Sequence, residues 1–179
     1  YLTLTGRKKD IIVTSGGKSV APAALEERLR MHPLIHQAVV VGDDRPCVGA
    51  LITLDPEYLP HWRAALAGQS EGQGREAREE NALRQEVTRA VAAANSTVSR
   101  SESIRVFRVL PEPFDQANGL LTPSLKLRRD EITRRYAAEI EAMYQSTRES
   151  PARPRGAAPA LEAAAGWEES EEDVFRRVR

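Results

Sequence analysis

Cysteine is almost missing from this chain. Cys47 is the only one in 179 residues, which excludes an internal disulfide and fits a reducing, cytoplasmic setting. An excess of either charge is missing too. Lys plus Arg and Asp plus Glu both number 26, so the net charge is zero. A general nucleic-acid or membrane-surface binder would show a basic excess. No apolar run is long enough to cross a bilayer, and nothing has the form of a signal peptide, although peripheral membrane contact stays open. No internal repeat is present. Position 1 is Tyr rather than Met, which predicts a piece of a longer protein or a processed product. The length suits one domain plus a tail, since a chain near this size buries roughly 70% of its unfolded surface.

The elements that are present alternate between strand and helix patterns. Residues 1–5 alternate and predict a short strand ending at Gly6. Ile11-Ile12-Val13, the turn Ser15-Gly16-Gly17 and Lys18-Ser19-Val20 predict a β-hairpin over 10–20. Pro22 suits the first turn of a helix over 22–31, and His32-Pro33 ends it. Apolar runs over 35–41 and 48–54 flank the turn residues 42–46 and predict two paired strands. Asp55 is expected to cap a helix that places Leu59, Trp62 and Leu66 on one face. A Gly/Gln/Ser-rich loop over 68–75 precedes a long helix over 76–95, with Leu83, Val87 and Val91 in its stripe. A strand over 104–109 ends at Pro111. An irregular loop over 111–124 leads to one final helix over 130–145, with Ile132, Tyr136 and Ile140 on its buried face. From Thr147 the composition turns low-complexity, and residues 147–179 are expected to be a disordered tail. The resulting fold class is α+β: a small β-sheet with a hairpin, packed by three or more helices.

Two stretches carry chemistry. The first is Gly6-Arg7-Lys8-Lys9-Asp10 running into the glycine-tipped hairpin. The second is Asn118-Gly119-Leu120-Leu121-Thr122-Pro123-Ser124-Leu125-Lys126-Leu127-Arg128-Arg129. Read alone, both are solvated basic clusters beside turns. A lysine between two leucines on a turn-rich loop can, however, be held in a water-poor site, where its charge acts strongly on developing anions. Residues 1–20 resemble the segment that joins the two domains of adenylate-forming enzymes, the acyl-CoA synthetase superfamily. The second stretch resembles the catalytic-lysine loop of its long-chain branch, Asn-Gly-Leu-Leu-Thr-Pro-x-x-Lys-x-Lys/Arg-Arg. Many other members have Gly directly before the lysine, where this chain has Leu125.

The resemblance spans about residues 1–146 and implies the C-terminal lid domain of a long-chain fatty acid–CoA ligase. Residues 1–9 would be the end of the N-terminal domain and the hinge, and 10–146 the lid. Lys126 would be the catalytic lysine, bridging carboxylate and α-phosphate oxygens. Arg7 would contact the adenylate, Lys9 would be the hinge residue, and Ser15, Gly16 and Gly17 would line the CoA pantetheine tunnel. ATP with Mg2+, CoA and fatty acid would be the substrates, bound mainly through the N-terminal domain, and this chain alone would be inactive. The alternatives are the lid of a fatty acyl-AMP ligase or carrier-protein-loading enzyme, or a stand-alone interaction domain.

Other signals are weaker. Gly17-Lys18-Ser19 mimics the end of a phosphate-binding loop, but Ile12 stands where the first glycine is required. His32 and His36 share helical spacing, yet Pro33 breaks the helix that would align them, so no metal site is expected; His61 is read as an ordinary surface or packing residue. Cys47 sits next to Pro46 with no histidine nearby in sequence, and no nucleophile role is expected of it.

Overall fold

Ile12 and Val20 pair across a short antiparallel ladder, and both are buried against the main sheet. They belong to β1 (Ile12–Val13) and β2 (Ser19–Val20), the hairpin expected from the sequence. The structure is a computed structural model that describes residues 11–67 and 75–149. The strand expected over 1–5, Arg7, Lys9, residues 68–74 of the expected loop and residues 150–179 of the tail lie outside the described residues.

A second sheet holds the core. Its strands β3 (Ile35–Val41), β4 (Val48–Leu54) and β5 (Ile104–Leu110) lie in the order β3-β4-β5. β3 and β4 pair antiparallel through the turn at 42–47, as the flanking apolar runs predicted. β5 joins β4 in parallel, so the connection carries α2 (Tyr58–Ala67) and α3 (Arg75–Asn95) as a crossover. Nearly every residue of β3 and β4 is buried, because helices cover both faces.

The pleat divides the apolar residues between two layers. Ala38, Val40, Val48, Ala50 and Ile52 pack with Leu25 and Leu29 of α1 (Pro22–Arg30) and with Val87, Val91 and Ala94 of α3. Val39, Val41 and Leu51 face the other way, onto Phe114, Leu120, Ile132, Tyr136 and Ile140. Gly49 lies on this second face, where an added Cβ would sit 2.8 Å from Tyr144 Oη. α1 begins at Pro22, whose fixed φ suits a first helical residue.

Three expectations need correction. The final helix is two segments, α4 (Arg129–Arg135) and α5 (Ala137–Glu149), interrupted where Tyr136 takes φ −102° and ψ 26°. The backbone bonds Tyr136 N–H to Ile132 O and Ile140 N–H to Tyr136 O span the break, so the apolar stripe runs on unbroken. α5 also runs to Glu149, past the expected helix end at 145. The α2 helix starts at Tyr58 rather than Pro56, although Asp55 caps it: its Oδ1 accepts from Glu57 N–H at 2.9 Å and Tyr58 N–H at 2.8 Å. Trp62, expected on a core face, is only half-buried.

Candidate functional site

The loop that carries Lys126 is built as a chain of small closures. Asp115 and Asn118 exchange hydrogen bonds: Asp115 N–H donates to Asn118 Oδ1 at 3.0 Å, and Asn118 N–H donates to Asp115 Oδ1 at 2.6 Å. Gly119 follows at φ +75°, a left-handed turn for which glycine is the ordinary choice. Leu120 is then buried, and Leu121 bridges Leu127 in antiparallel fashion. Between them the tip closes on itself. Thr122 N–H donates to Lys126 O at 2.9 Å, and Lys126 N–H donates to Thr122 Oγ1 at 3.0 Å.

Lys126 is thus pinned by its backbone while its side chain is exposed. The water-poor surroundings allowed for at the sequence level are not supplied by the described residues. Leu125 takes φ +59° and is 69% exposed. A leucine in the left-handed region is strained, and the Thr122–Lys126 closure holds it there.

The loop is fastened to the rest of the domain at both ends. Upstream, Gln37 on β3 meets the Phe114 backbone twice: Nε2 donates to Phe114 O, and Oε1 accepts from Phe114 N–H, both at 2.8 Å. The Thr53 hydroxyl orients that amide by donating to Oε1 at 3.2 Å. Downstream, Arg128 N–H donates to Leu120 O and its Nη1 to Gly119 O. Arg129 forms an ion pair with Glu26 of α1. Sequence reasoning missed Glu26 and Gln37, and named Arg129 only as the end of the lysine motif. A signal for Glu26 existed: Pro22, Leu25, Glu26 and Leu29 fall at i, i+3, i+4 and i+7, which is the buried stripe of α1.

Ser15, Gly16 and Gly17 sit together at the exposed hairpin tip, where Gly17 takes φ +73° and its N–H donates to Thr14 O. The tip is tied to the β3–β4 turn by Ser15 N–H to Arg45 O and Asp44 N–H to Val13 O, each 2.9 Å. Ser15, Gly16 and Lys18 line an open cleft of about 720 Å³ with Cys47, Arg105 and Tyr144. Neither Gly17 nor Lys126 is among its lining residues. Burial pushes the Cys47 thiol up, and nearby Arg105 offsets this only in part, which disfavours a thiolate. Tyr144 Oη donates to Cys47 O at 3.0 Å and lies 3.3 Å from Val41 O; burial raises its hydroxyl well above the usual range.

The histidines do not converge. His32 lies 3.7 Å from Glu86, His36 lies 3.6 Å from Asp55, and His61 is exposed. Among the described residues, no group of three or more His, Cys, Asp and Glu side chains could hold a metal ion. No helix among them is long and apolar enough to cross a membrane.

A family model described as the AMP-binding enzyme C-terminal domain matches residues 9–148. The chain belongs to that family. Residues across 80% of this AMP-binding C-terminal domain chain are similar to long-chain-fatty-acid–CoA ligase FadD15 of Mycobacterium tuberculosis, with 51% identity over 147 residues. Two solved structures are similar in fold and sequence. One is the adenylation domain of a carboxylate reductase from Mycobacterium chelonae, with TM-score 0.63 and 25% identity, covering 78% of this chain and 20% of that one. The other is the A domain of a carboxylic acid reductase from Segniliparus rugosus in complex with AMP and a co-purified carboxylic acid. It has TM-score 0.57 and 26% identity, covering 79% of this chain and 20% of that one. The chain spans 24% of the length of the mycobacterial ligase.

Proposed function

We propose that this chain is the lid domain of a long-chain fatty acid–CoA ligase, with Lys126 as its adenylation lysine. The observation that carries the reading is the loop itself: a lysine motif of this type folded into a tip that is rigid in backbone and free in side chain. The 51% identity to a long-chain ligase supports the substrate class.

The reaction has two steps. A fatty acid carboxylate attacks the α-phosphorus of ATP, forming acyl-AMP and releasing pyrophosphate. The CoA thiol then attacks the acyl carbon and AMP leaves. In the first step two anions must approach each other. An ammonium fixed between the carboxylate and α-phosphate oxygens offsets their repulsion, and does so most strongly where water is excluded. Lys126 is exposed on this domain, so the surface that excludes water would belong to the large N-terminal domain. Mg2+ would enter with ATP, held by groups beyond the described residues. Arg7 would contact the adenylate and Lys9 would serve as the hinge. Rotation about that hinge would exchange the lysine loop for the hairpin tip, placing Ser15, Gly16 and Gly17 beside the pantetheine arm. The unpaired Cys47 fits a cytoplasmic setting.

The test is Lys126→Ala in the full-length ligase that carries this domain. Acyl-AMP formation is expected to fall about 10²- to 10³-fold, the range for removing one preorganised charge-stabilising group. Thioester formation from supplied acyl-AMP is expected to change little. Equal loss of both steps would overturn the role given to Lys126.

A further inference from the structure

Glu26 is a buried carboxylate to which the proposed chemistry gives no task; it is 6% exposed. A charge in that position is costly unless it is paired and hydrogen-bonded, and Glu26 is both. Its Oε1 accepts from Val40 N–H at 2.8 Å. Val40 lies on β3, whose other edge pairs with β4, so this bond occupies the outer edge of the sheet. Its Oε2 pairs with the Arg129 guanidinium. Arg129 opens α4 and follows Arg128, whose N–H closes the lysine loop onto Leu120 O.

The two oxygens therefore do different work. A neutral amide could satisfy Val40 N–H equally well. Only the carboxylate holds Arg129, and that bond joins α1, in one core layer, to α4, in the other. With Gln37 gripping Phe114, the segment from 114 to 129 is held by β3 at one end and by Glu26 of α1, itself bonded to β3, at the other, and Lys126 lies inside the clamp.

We propose that Glu26, acting through Arg129, is a positioning residue for Lys126, fixing where the loop presents the ammonium. This rests on the reading of Lys126 as the adenylation lysine. A reacting group misplaced by about 1 Å can lose on the order of 10²-fold in rate.

The experiment uses the full-length ligase carrying this domain, with Glu26→Gln, Arg129→Met, the double variant, and Lys126→Ala as reference. Glu26→Gln keeps the acceptor for Val40 N–H and removes the charge that holds Arg129. Arg129→Met leaves the Val40 bond in place, and it reports on the clamp even where Glu26→Gln fails to fold. Each single variant is expected to lower kcat for acyl-AMP formation by about 10- to 100-fold. KM for ATP should stay within about threefold, and the double variant should be no worse than either single, because both break one link. Thioester formation from supplied acyl-AMP should fall less than about threefold. A parallel loss in both half-reactions would mean general disorder and overturn the proposal. Near-normal acyl-AMP formation in both single variants, with Lys126→Ala inactive, would overturn the positioning role and leave the lysine reading intact. An active Lys126→Ala would overturn the lysine reading and the positioning role with it.

Discussion

Replacing Gly49 by alanine would test how α5 is seated on the sheet. The new Cβ would lie 2.7 Å from Met143 Cε, 2.8 Å from Tyr144 Oη and 3.1 Å from Val106 Cγ2. The methionine methyl ends a flexible chain and can swing aside at little cost. Tyr144 has less freedom. Its hydroxyl donates to Cys47 O with Val41 O 3.3 Å away, and the Arg45 guanidinium stacks 5.3 Å from its ring centre. Moving it adds the cost of a poorly satisfied buried polar group, about 1–3 kcal/mol, to an overpacking cost of about 1–3 kcal/mol. The two overlap, because a shift that relieves one produces the other, so a total of about 2–4 kcal/mol is expected. Within a stability of about 5–15 kcal/mol that is a large share, and it corresponds to a fall in Tm of about 10 °C. Urea and thermal unfolding of the chain would measure it. Tyr144→Phe removes the obstructing oxygen, so adding Gly49→Ala to it should cost less than Gly49→Ala alone by about 1 kcal/mol or more. A loss under about 0.5 kcal/mol for Gly49→Ala, or strict additivity in the pair, would refute the clash argument.

Leu125→Val should destabilise the chain by about 1–2 kcal/mol, because a β-branched residue suits φ +59° worse than leucine does, whereas Leu125→Gly should hold or raise Tm. A lower Tm for Leu125→Val with no fall for Leu125→Gly is the expected pattern; a fall in both would count against strain at this position. Asp55→Ala should cost about 1 kcal/mol through loss of the α2 cap, read from denaturant midpoints. The Tyr58 and Glu57 backbone N–H groups, the former more strongly, hold the Asp55 carboxyl below its ordinary 3.8 in the folded chain, with His36 adding a smaller effect. Its charge therefore adds stability above that ordinary value, and the gain is lost as pH falls through the lowered one. Asp55→Asn should flatten this part of the acid limb, and an unchanged limb would contradict the assignment.

The parts of the fold that were legible share a feature: local pattern and tertiary demand agree. Residues 35–41 and 48–54 are apolar runs cut by turn residues, and the strands end where the runs end. Pro22 and Pro33 frame α1, which ends at Arg30 rather than at residue 31. The break at Tyr136 was hidden because no proline or glycine marks it and the buried residues keep helical spacing across it. The parallel pairing of β4 with β5 was invisible, since one strand's composition does not name its neighbour. At the candidate site the lysine loop was recognised as a motif, but its fastening was not. Glu26 lies 103 positions from Arg129 in sequence and Gln37 lies 77 from Phe114, and contacts of that range leave no local signature.

Parallel pairing of β4 with β5 also dictates an order of assembly. The turn between β3 and β4 is short, and α1 folds back onto β3 directly before it. These contacts are local and can form within microseconds. β5 must instead wait for its partner across the whole connection that carries α2 and α3, and non-local closure of this kind slows folding. Residues 111–129 follow β5, so they are seated only after it. Both of their anchors, Gln37 and Glu26, belong to the part that forms first. The lysine loop is therefore laid onto a finished template rather than shaping its own surroundings.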